Sequence, residues 1–347
     1  MNNQWTEDKV ETQIGFIPKV KTRLELTDNL NSFKRRWGFG RTGYIVKPGL
    51  YALGNPDADS EVFVSANYKM SFDRLRSNLN GIDGWILVLD TKGVNVWCSA
   101  GKGTFGTNEL VNRVRLTGLE NVVNHKRLIL PQLAAPGVSA HEVKKEIGFR
   151  VRYGPIKAED ISEFLEAGRK ASPEMRIVKF TLWDRMVVIP IEFVMSLKYA
   201  ILTLACFVIL SGLHSGGYSL QLINEVGFKS VFIFSGAYIC GTVLGPLLLP
   251  FLPGKAFSVK GAWIGAIFVF ALWGYQYSTA GWFDLKVDDL AWILIVPSVS
   301  SFLTMNFTGA STYTSLSGVL KEMRVAVPAQ LIAFTLGIIL WIVGRFI

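Results

Sequence analysis

Five apolar runs in the second half of the chain constrain it more than any other feature. They are roughly Val187–Leu213, Lys229–Leu252, Ser258–Ala280, Leu290–Gly309 and Val325–Phe346. Each is close to the ~20 residues with which an α-helix crosses a hydrocarbon layer of about 30 Å. Soluble cores are not written as five such runs in succession, so the pattern predicts an all-α membrane domain of five transmembrane helices. Charge follows the same division. Up to Arg185 the chain carries 28 Lys and Arg against 21 Asp and Glu, whereas the remaining 162 residues carry only 8 and 6. Two domains are expected, 1–179 and 180–347.

The connections between runs predict an orientation. Pro253–Phe257 and Ala310–Arg324, with Lys260 just beyond the first, hold Lys255, Lys260, Lys321 and Arg324, and the approach to the first run holds Lys179 and Arg185. The opposite connections, Ser211–Phe228 and Gly281–Asp289, hold Lys286 beside Asp284, Asp288 and Asp289. The positive-inside rule then places the first half in the cytoplasm, below a multi-pass cytoplasmic membrane domain, with Ile347 outside. The opening "MNNQWTEDKV" has no apolar h-region, so no signal peptide is expected. Trp263, Trp273, Trp282, Trp292 and Trp341 fall near run ends, where an interfacial belt or packing would place them. Glu192 and Lys198 are spaced to snorkel or to pair across neighbouring turns. His214 is expected in a solvated loop. The stretch "CGTVLGPLLLPFLPG" predicts a kink or break in the second run. No run carries a central carboxylate or histidine marking an ion path, which favours an anchor or docking bundle over a transporter.

The first half alternates strands and helices. Glu61–Ser65 and Gly84–Leu89 read as buried strands, with "KMSFDRLRSNL" between them at helical spacing. Then come a helix capped by Thr107, "NVV" at Asn121, "RLILPQ" at Arg127, a helix from Ser139 to Ile147, "FRVRY" at Phe149 and a helix over Ala158–Ala167. This alternation predicts an α/β fold, an open parallel Rossmann-like sheet covered on both faces, with ligands at the carboxyl ends of the strands. The loops falling there are "DTKGVNVWCSAGKG", "LPQLAAPGVS" and "YGPIKAED". All are rich in Gly, Pro and Ala, which allow close approach to a large flat ligand.

None of these loops carries an acid pair, a triad or a metal-ligand cluster. The other cysteines, Cys206 and Cys240, fall in apolar runs, so the chain lacks the thiolates of an iron–sulfur cluster. A Walker reading of "SAGKGTFGT" fails, because Val96 and Gly103 stand where that pattern needs Gly and Ser or Thr. Asn95 is placed to cap a short helix whose first turn is Val96, Trp97 and Cys98, ended by Gly101 and Gly103. A thiol in a helix first turn is biased towards thiolate, the form that binds metals. One such ligand is enough to hold a macrocycle that supplies the rest. On spacing alone, a small buried hydrophobe is the alternative for Cys98.

Asn95-Val96-Trp97-Cys98-Ser99-Ala100-Gly101-Lys102 closely resembles the cap-helix signature of the mercury-methylating corrinoid proteins, the HgcA family: Asn, Val or Ile, Trp, Cys, Ala, Ala or Gly, Gly, Lys. Ser99 stands where that family has alanine. The family likewise joins a cytoplasmic corrinoid domain to about five transmembrane helices. Its corrinoid domain is similar to that of the corrinoid iron–sulfur protein of the acetyl-CoA pathway. The resemblance implies that cobalamin, or a related corrinoid, is the cofactor and Cys98 the lower axial ligand of its cobalt. It implies that Val96 and Trp97 line the lower face and that Asn95 holds the cap helix, with Ala100, Gly101 and Lys102 completing it. Ser65, Ser71 and Ala158 would approach the ring, and Leu133, Ala134, Pro136, Gly137, Tyr153 and Gly154 would form the rest of the cradle.

The chemistry implied is methyl transfer. Hg(II) is an electrophile, so the methyl must leave cobalt with the bonding electrons, which a thiolate on the opposite face supports. The implied methyl donor is a folate or another corrinoid protein. The implied reductant is a ferredoxin-like partner with two 4Fe-4S clusters, of the HgcB type. A membrane-tethered methyl carrier of one-carbon metabolism is the alternative; a transporter with a cofactor-sensing domain is a further one. The net charge of +9 suits an anionic leaflet or an acidic partner, and no basic motif with interleaved aromatics suggests nucleic acid.

Overall fold

A computed structural model describes residues 5–280, 287–307 and 316–347. Trp282, Asp284, Lys286 and positions 308–315 of the expected connections lie outside the described residues. The chain divides into two compact units, one of Met1–Arg35 with Phe39–Val178, the other of Arg36–Gly38 with Lys179–Ile347.

The first unit is built on a sheet of β1 (Thr6–Thr12), β2 (Gly15–Val20), β3 (Gly49–Leu53), β4 (Glu61–Ala66), β5 (Gly84–Leu89), β6 (Arg127–Leu130) and β7 (Arg150–Tyr153), in the order β1-β2-β3-β5-β4-β6-β7. Strands β5, β4, β6 and β7 run parallel. β4 and β5 are buried along their whole length, which is why they read as unbroken apolar runs. Helices α2 (Lys69–Ser77) and α6 (Ile161–Glu166) bring Phe72, Ile161 and Phe164 against Phe63, Ile86 and Ile129 on one face. On the other face α4 (Thr107–Leu116) and α5 (Ala140–Ile147) bring Leu110, Val114 and Val143 against Val62, Val64, Leu87 and Leu128.

The sheet is mixed rather than wholly parallel. β1 and β2 form an antiparallel hairpin, and β3 runs antiparallel to β5. β1 is an edge strand of Lys, Glu and Thr with only half-buried contacts, so it lacks the apolar signature of its buried neighbours. Thr107 is the first residue of α4 rather than its cap; Gly106 occupies the cap position, and the Thr107 hydroxyl accepts from Ser139 N at 2.9 Å instead. "NVV" falls in and after a 3-10 turn, Leu119–Asn121, and not in a strand.

Helix α1 (Leu26–Arg36) is joined to α2 by a buried charge cluster. Lys69 Nζ lies 2.6 Å from Asp73 Oδ1 and 3.1 Å from Asp28 Oδ1. Arg76 donates from Nε to Asp73 and from Nη2 to Asp28, both at 2.7 Å. The Arg76 side chain is fully buried.

The second unit holds α7 (Leu182–Ser211), α8 (Leu220–Leu248), α9 (Phe257–Ala280), α10 (Val287–Asn306) and α11 (Leu316–Val343). These five helices are long and apolar enough to cross a membrane. α7 starts before Val187 because Thr181 and Asp184 form a capping box. α8 contains π-helical turns at Ile223–Gly227 and Cys240–Leu244. The second stands where Pro246 has no N–H to offer the preceding turn, at the predicted break. α11 begins at Leu316, not Val325, so Lys321 and Arg324 sit on a helix. Lys260 is helical too, its Nζ donating to the Leu249 carbonyl.

Two of the tryptophans are core residues rather than a belt. Trp292 and Trp341 are buried around Phe207, and Trp341 Nε1 donates to Ser230 Oγ at 3.1 Å. The loop charge count also missed two cations. Asp289 lies 3.8 Å from Lys229, and Asp288 pairs with Arg345. His214 is half-buried on a small hairpin, not in an open loop. Lys198 Nζ lies 4.7 Å over the Tyr199 ring, and Glu192 lines a cavity of about 650 Å³ with Tyr238, Thr242 and Gln330.

Candidate functional site

The carboxyl ends of β4, β5, β6 and β7 share one edge of the sheet. From β4 the chain passes to β5 on one side and then to β6 and β7 on the other, so the switch point falls between β4 and β6. Asn67, just after β4, organises the approach to it. Its buried Oδ1 accepts from Thr91 N at 3.1 Å, Thr91 Oγ1 at 2.8 Å and Gly93 N at 3.0 Å. These bonds hold the turn after β5, in which Lys92 and Gly93 take successive left-handed conformations at φ 57° and 71°. Asp90 anchors the same turn: its N–H donates to Glu109 Oε1 at 2.7 Å, and the Lys92 ammonium beside its carboxylate holds that group below the usual range.

The turn delivers the chain into α3 (Val96–Gly101). Asn95 caps it, its Oδ1 accepting from Cys98 N at 2.9 Å. Ser99 is buried, and its hydroxyl donates back to Asn95 O at 2.6 Å with Val96 O at 3.0 Å. That hydroxyl is spent within the helix. Ser99 O accepts from Thr104 N and Phe105 N, closing the helix with Gly103 at φ 78°. Val96, Trp97 and Cys98 are left half-buried, and Cys98 is a free cysteine.

α3 rests on the turn after β6. A Cβ on Gly137 would lie 2.2 Å from Phe105 O and 3.0 Å from both Ala100 Cα and Ala100 O. Only hydrogen fits there. Gly137 O also accepts from Thr107 N at 3.2 Å. Tyr153 closes the other side, its hydroxyl donating to Val138 O, with burial raising the phenol's pKa so that it stays a donor. Gly154 N donates to Leu130 O at 2.8 Å.

The predicted residues thus divide. Asn95, Val96, Trp97 and Cys98 share one helix turn at the strand ends, and Leu133, Pro136 and Gly137 flank it on the turn after β6. Gly101 and Lys102 are exposed at the far end of α3. Ala100, Ala134 and Gly154 are buried beneath these loops and shape them from below. Ser65 is buried within β4, its hydroxyl turned to Ala66 O at 3.3 Å. Ser71 is half-buried on α2, the helix that Arg74 ties through Glu159 to the turn containing Ala158. Ala158 itself packs on the apolar cluster around Ile161 and Phe164. Asn67 was missed. Its sequence signal is a lone amide directly after an apolar strand.

Residues 39–165 match the family model described as CO dehydrogenase/acetyl-CoA synthase delta subunit. Relatives include the acetyl-CoA decarbonylase/synthase complex subunit gamma of Archaeoglobus fulgidus, 36% identical over 128 residues, which are 36% of this chain and 27% of the relative. The subunit gamma of Methanopyrus kandleri is 33% identical over 123 residues, 35% of this chain and 26% of the relative. That of Methanothermobacter thermautotrophicus is 32% identical over 128 residues, 36% and 28%. The chain therefore spans about a quarter of the length of these relatives. The matched segment runs from before β3 to α6 and contains the whole candidate site, whereas β1, β2, α1 and the five apolar helices lie outside it.

Proposed function

We propose that this chain is a membrane-anchored corrinoid methyl carrier in which the Cys98 sulfur would hold the cobalt. The observation that carries this is the Asn95-capped turn, which holds a free, half-buried thiol at the carboxyl ends of the parallel strands β4–β7. The donor set fits such a group. Among the described residues no three His, Cys, Asp or Glu side chains converge as a metal site, and one sulfur cannot retain a bare ion. One sulfur does suit a metal that arrives with its equatorial ligands. When bound, a corrinoid supplies a cobalt that takes up a methyl group and gives it away. Val96 and Trp97 would hold the ring beside Cys98, Gly137 lets α3 approach the turn after β6, and Asn67 fixes the turn from which α3 starts.

The similarity to acetyl-CoA decarbonylase/synthase subunits supports a methyl carrier of one-carbon metabolism. The cap-helix resemblance supports Hg(II) as the acceptor, because a sulfur donor favours release of methyl with its bonding pair to an electrophile. Release of methyl with its bonding pair to Hg(II) would consume two electrons per turnover, which a low-potential iron–sulfur protein would supply, whereas transfer to a nucleophilic acceptor of one-carbon metabolism would need none; in both readings α7–α11 cross the membrane with the first unit on the cytoplasmic side.

Cobalt and cobalamin analysis of the purified full-length protein tests the shared core of these readings, and roughly one corrinoid per chain is expected. Methyl release to Hg(II) and to acceptors of one-carbon metabolism, measured side by side, separates them. Cys98→Ala is expected to keep the fold, bring methylmercury formation close to background and remove sulfur-dependent bands from the corrinoid spectrum. Cys98→His is expected to retain the cofactor with poor transfer. Near-normal methyl transfer by Cys98→Ala with correctly bound cobalamin refutes the axial-sulfur assignment.

A further inference from the structure

Helix α1 is amphipathic the wrong way round for a helix on a soluble domain. Surface helices normally turn their apolar stripe to the core and their charges to water. α1 does the opposite. Asp28 enters the buried cluster with Lys69 and Arg76. Two turns on, Arg35 lies 5.1 Å over the Tyr44 ring. These residues form its protein-facing side. Leu26, Leu30 and Phe33, at spacings of four and three, fall on the other side and are 74%, 60% and 62% exposed. Phe39, shortly after the helix, is 56% exposed.

We infer that this outward face lies in the headgroup region of the bilayer and binds anionic lipid. The occupant follows from charge. Lys34 and Arg36 flank the apolar stripe on either side in the last turn of the helix. A Leu and Phe face bordered by cations is the composition of helices that lie in a membrane interface. α1 lies outside the segment that resembles the acetyl-CoA decarbonylase/synthase subunits, as do α7–α11. The inference rests on the reading of α7–α11 as membrane spans.

The test uses the full-length protein in nanodiscs of phosphatidylcholine with phosphatidylglycerol. Photoreactive benzoylphenylalanine replaces Leu30, or Leu202 on α7 as the control for the spans, or Leu116 on α4 as an exposed apolar control; all three positions are exposed. Mass spectrometry of the cross-linked peptides identifies what each site has captured. Lipid adducts are expected at positions 30 and 202 and not at 116. Lys34→Glu, or discs of phosphatidylcholine alone, should lower the yield at position 30 about fivefold while leaving position 202 unchanged. Labelling at 202 without lipid adducts at 30 overturns the interfacial role alone. Adducts at 30 to protein instead of lipid overturn it in favour of a protein interface. No lipid adduct at either position refutes the membrane spans, and this inference with them.

Discussion

Gly137→Ala probes the contact on which the candidate site rests. Gly137 does not have a left-handed φ, so its role is to leave space, and the space is bounded by backbone. The added methyl carbon would sit 2.2 Å from Phe105 O and 3.0 Å from Ala100 Cα. Relief requires the turn after β6 and the start of the 103–107 segment to part by about 1 Å, since carbon and oxygen atoms rest near 3.5 Å. No side chain can rotate away. Overpacking of this kind costs about 1–3 kcal/mol, and rigid neighbours place this case near 3. At 2–4 °C per kcal/mol for a unit of this size, the melting temperature should fall by about 6–12 °C. The movement lifts α3, so cobalamin retention should fall as well. Thermal unfolding of the full-length protein, with cobalamin content measured on the same sample, reads both. Gly43→Ala is the control: nothing lies within 4 Å of its Cβ, so it should be neutral. If Gly137→Ala melts and binds cobalamin as Gly43→Ala does, α3 does not depend on this contact.

Asp73→Asn leaves the buried Lys69 and Arg76 with Asp28 as the one remaining of their two shared carboxylates, and about 3 kcal/mol of stability should be lost in denaturant titration of the full-length protein. Asp28 adds a pH signature. Burial pulls its pKa upward, but the Glu25 backbone N–H, Lys69 and Arg76 outweigh it and hold the carboxyl below its ordinary 3.8. A lowered folded-state value means that the stabilisation is present above the ordinary value and is lost as pH falls through the lowered one. Asp28→Asn should therefore be less stable at pH 7 and show a flatter acid limb in stability measured below about pH 4. Reporter fusions at Asp288 should behave as external and those at Lys255 as cytoplasmic. The reverse pattern would contradict the proposed orientation.

Much of this molecule was legible because it is written locally. An Asn three residues before Cys98 caps a helix turn through a bond spanning three positions. β4 and β5 are recognisable because strands buried on both faces must be apolar throughout. Five helices long enough to cross a membrane must each carry an apolar run of that length. What the sequence could not reveal depends on partners far along the chain. Asn67 acquires its role only when β4 and β5 lie side by side and Thr91 and Gly93 reach its carbonyl. Gly137 looks like turn chemistry until α3 settles on it. Trp292 and Trp341 have the composition of a membrane belt, yet packing around Phe207 turns them inward. In α1 the sequence shows two faces and no means of choosing between them. The choice was made by tertiary structure, because Lys69 and Arg76, buried some forty residues away, require the carboxylate of Asp28 more than the core requires Leu26, Leu30 and Phe33.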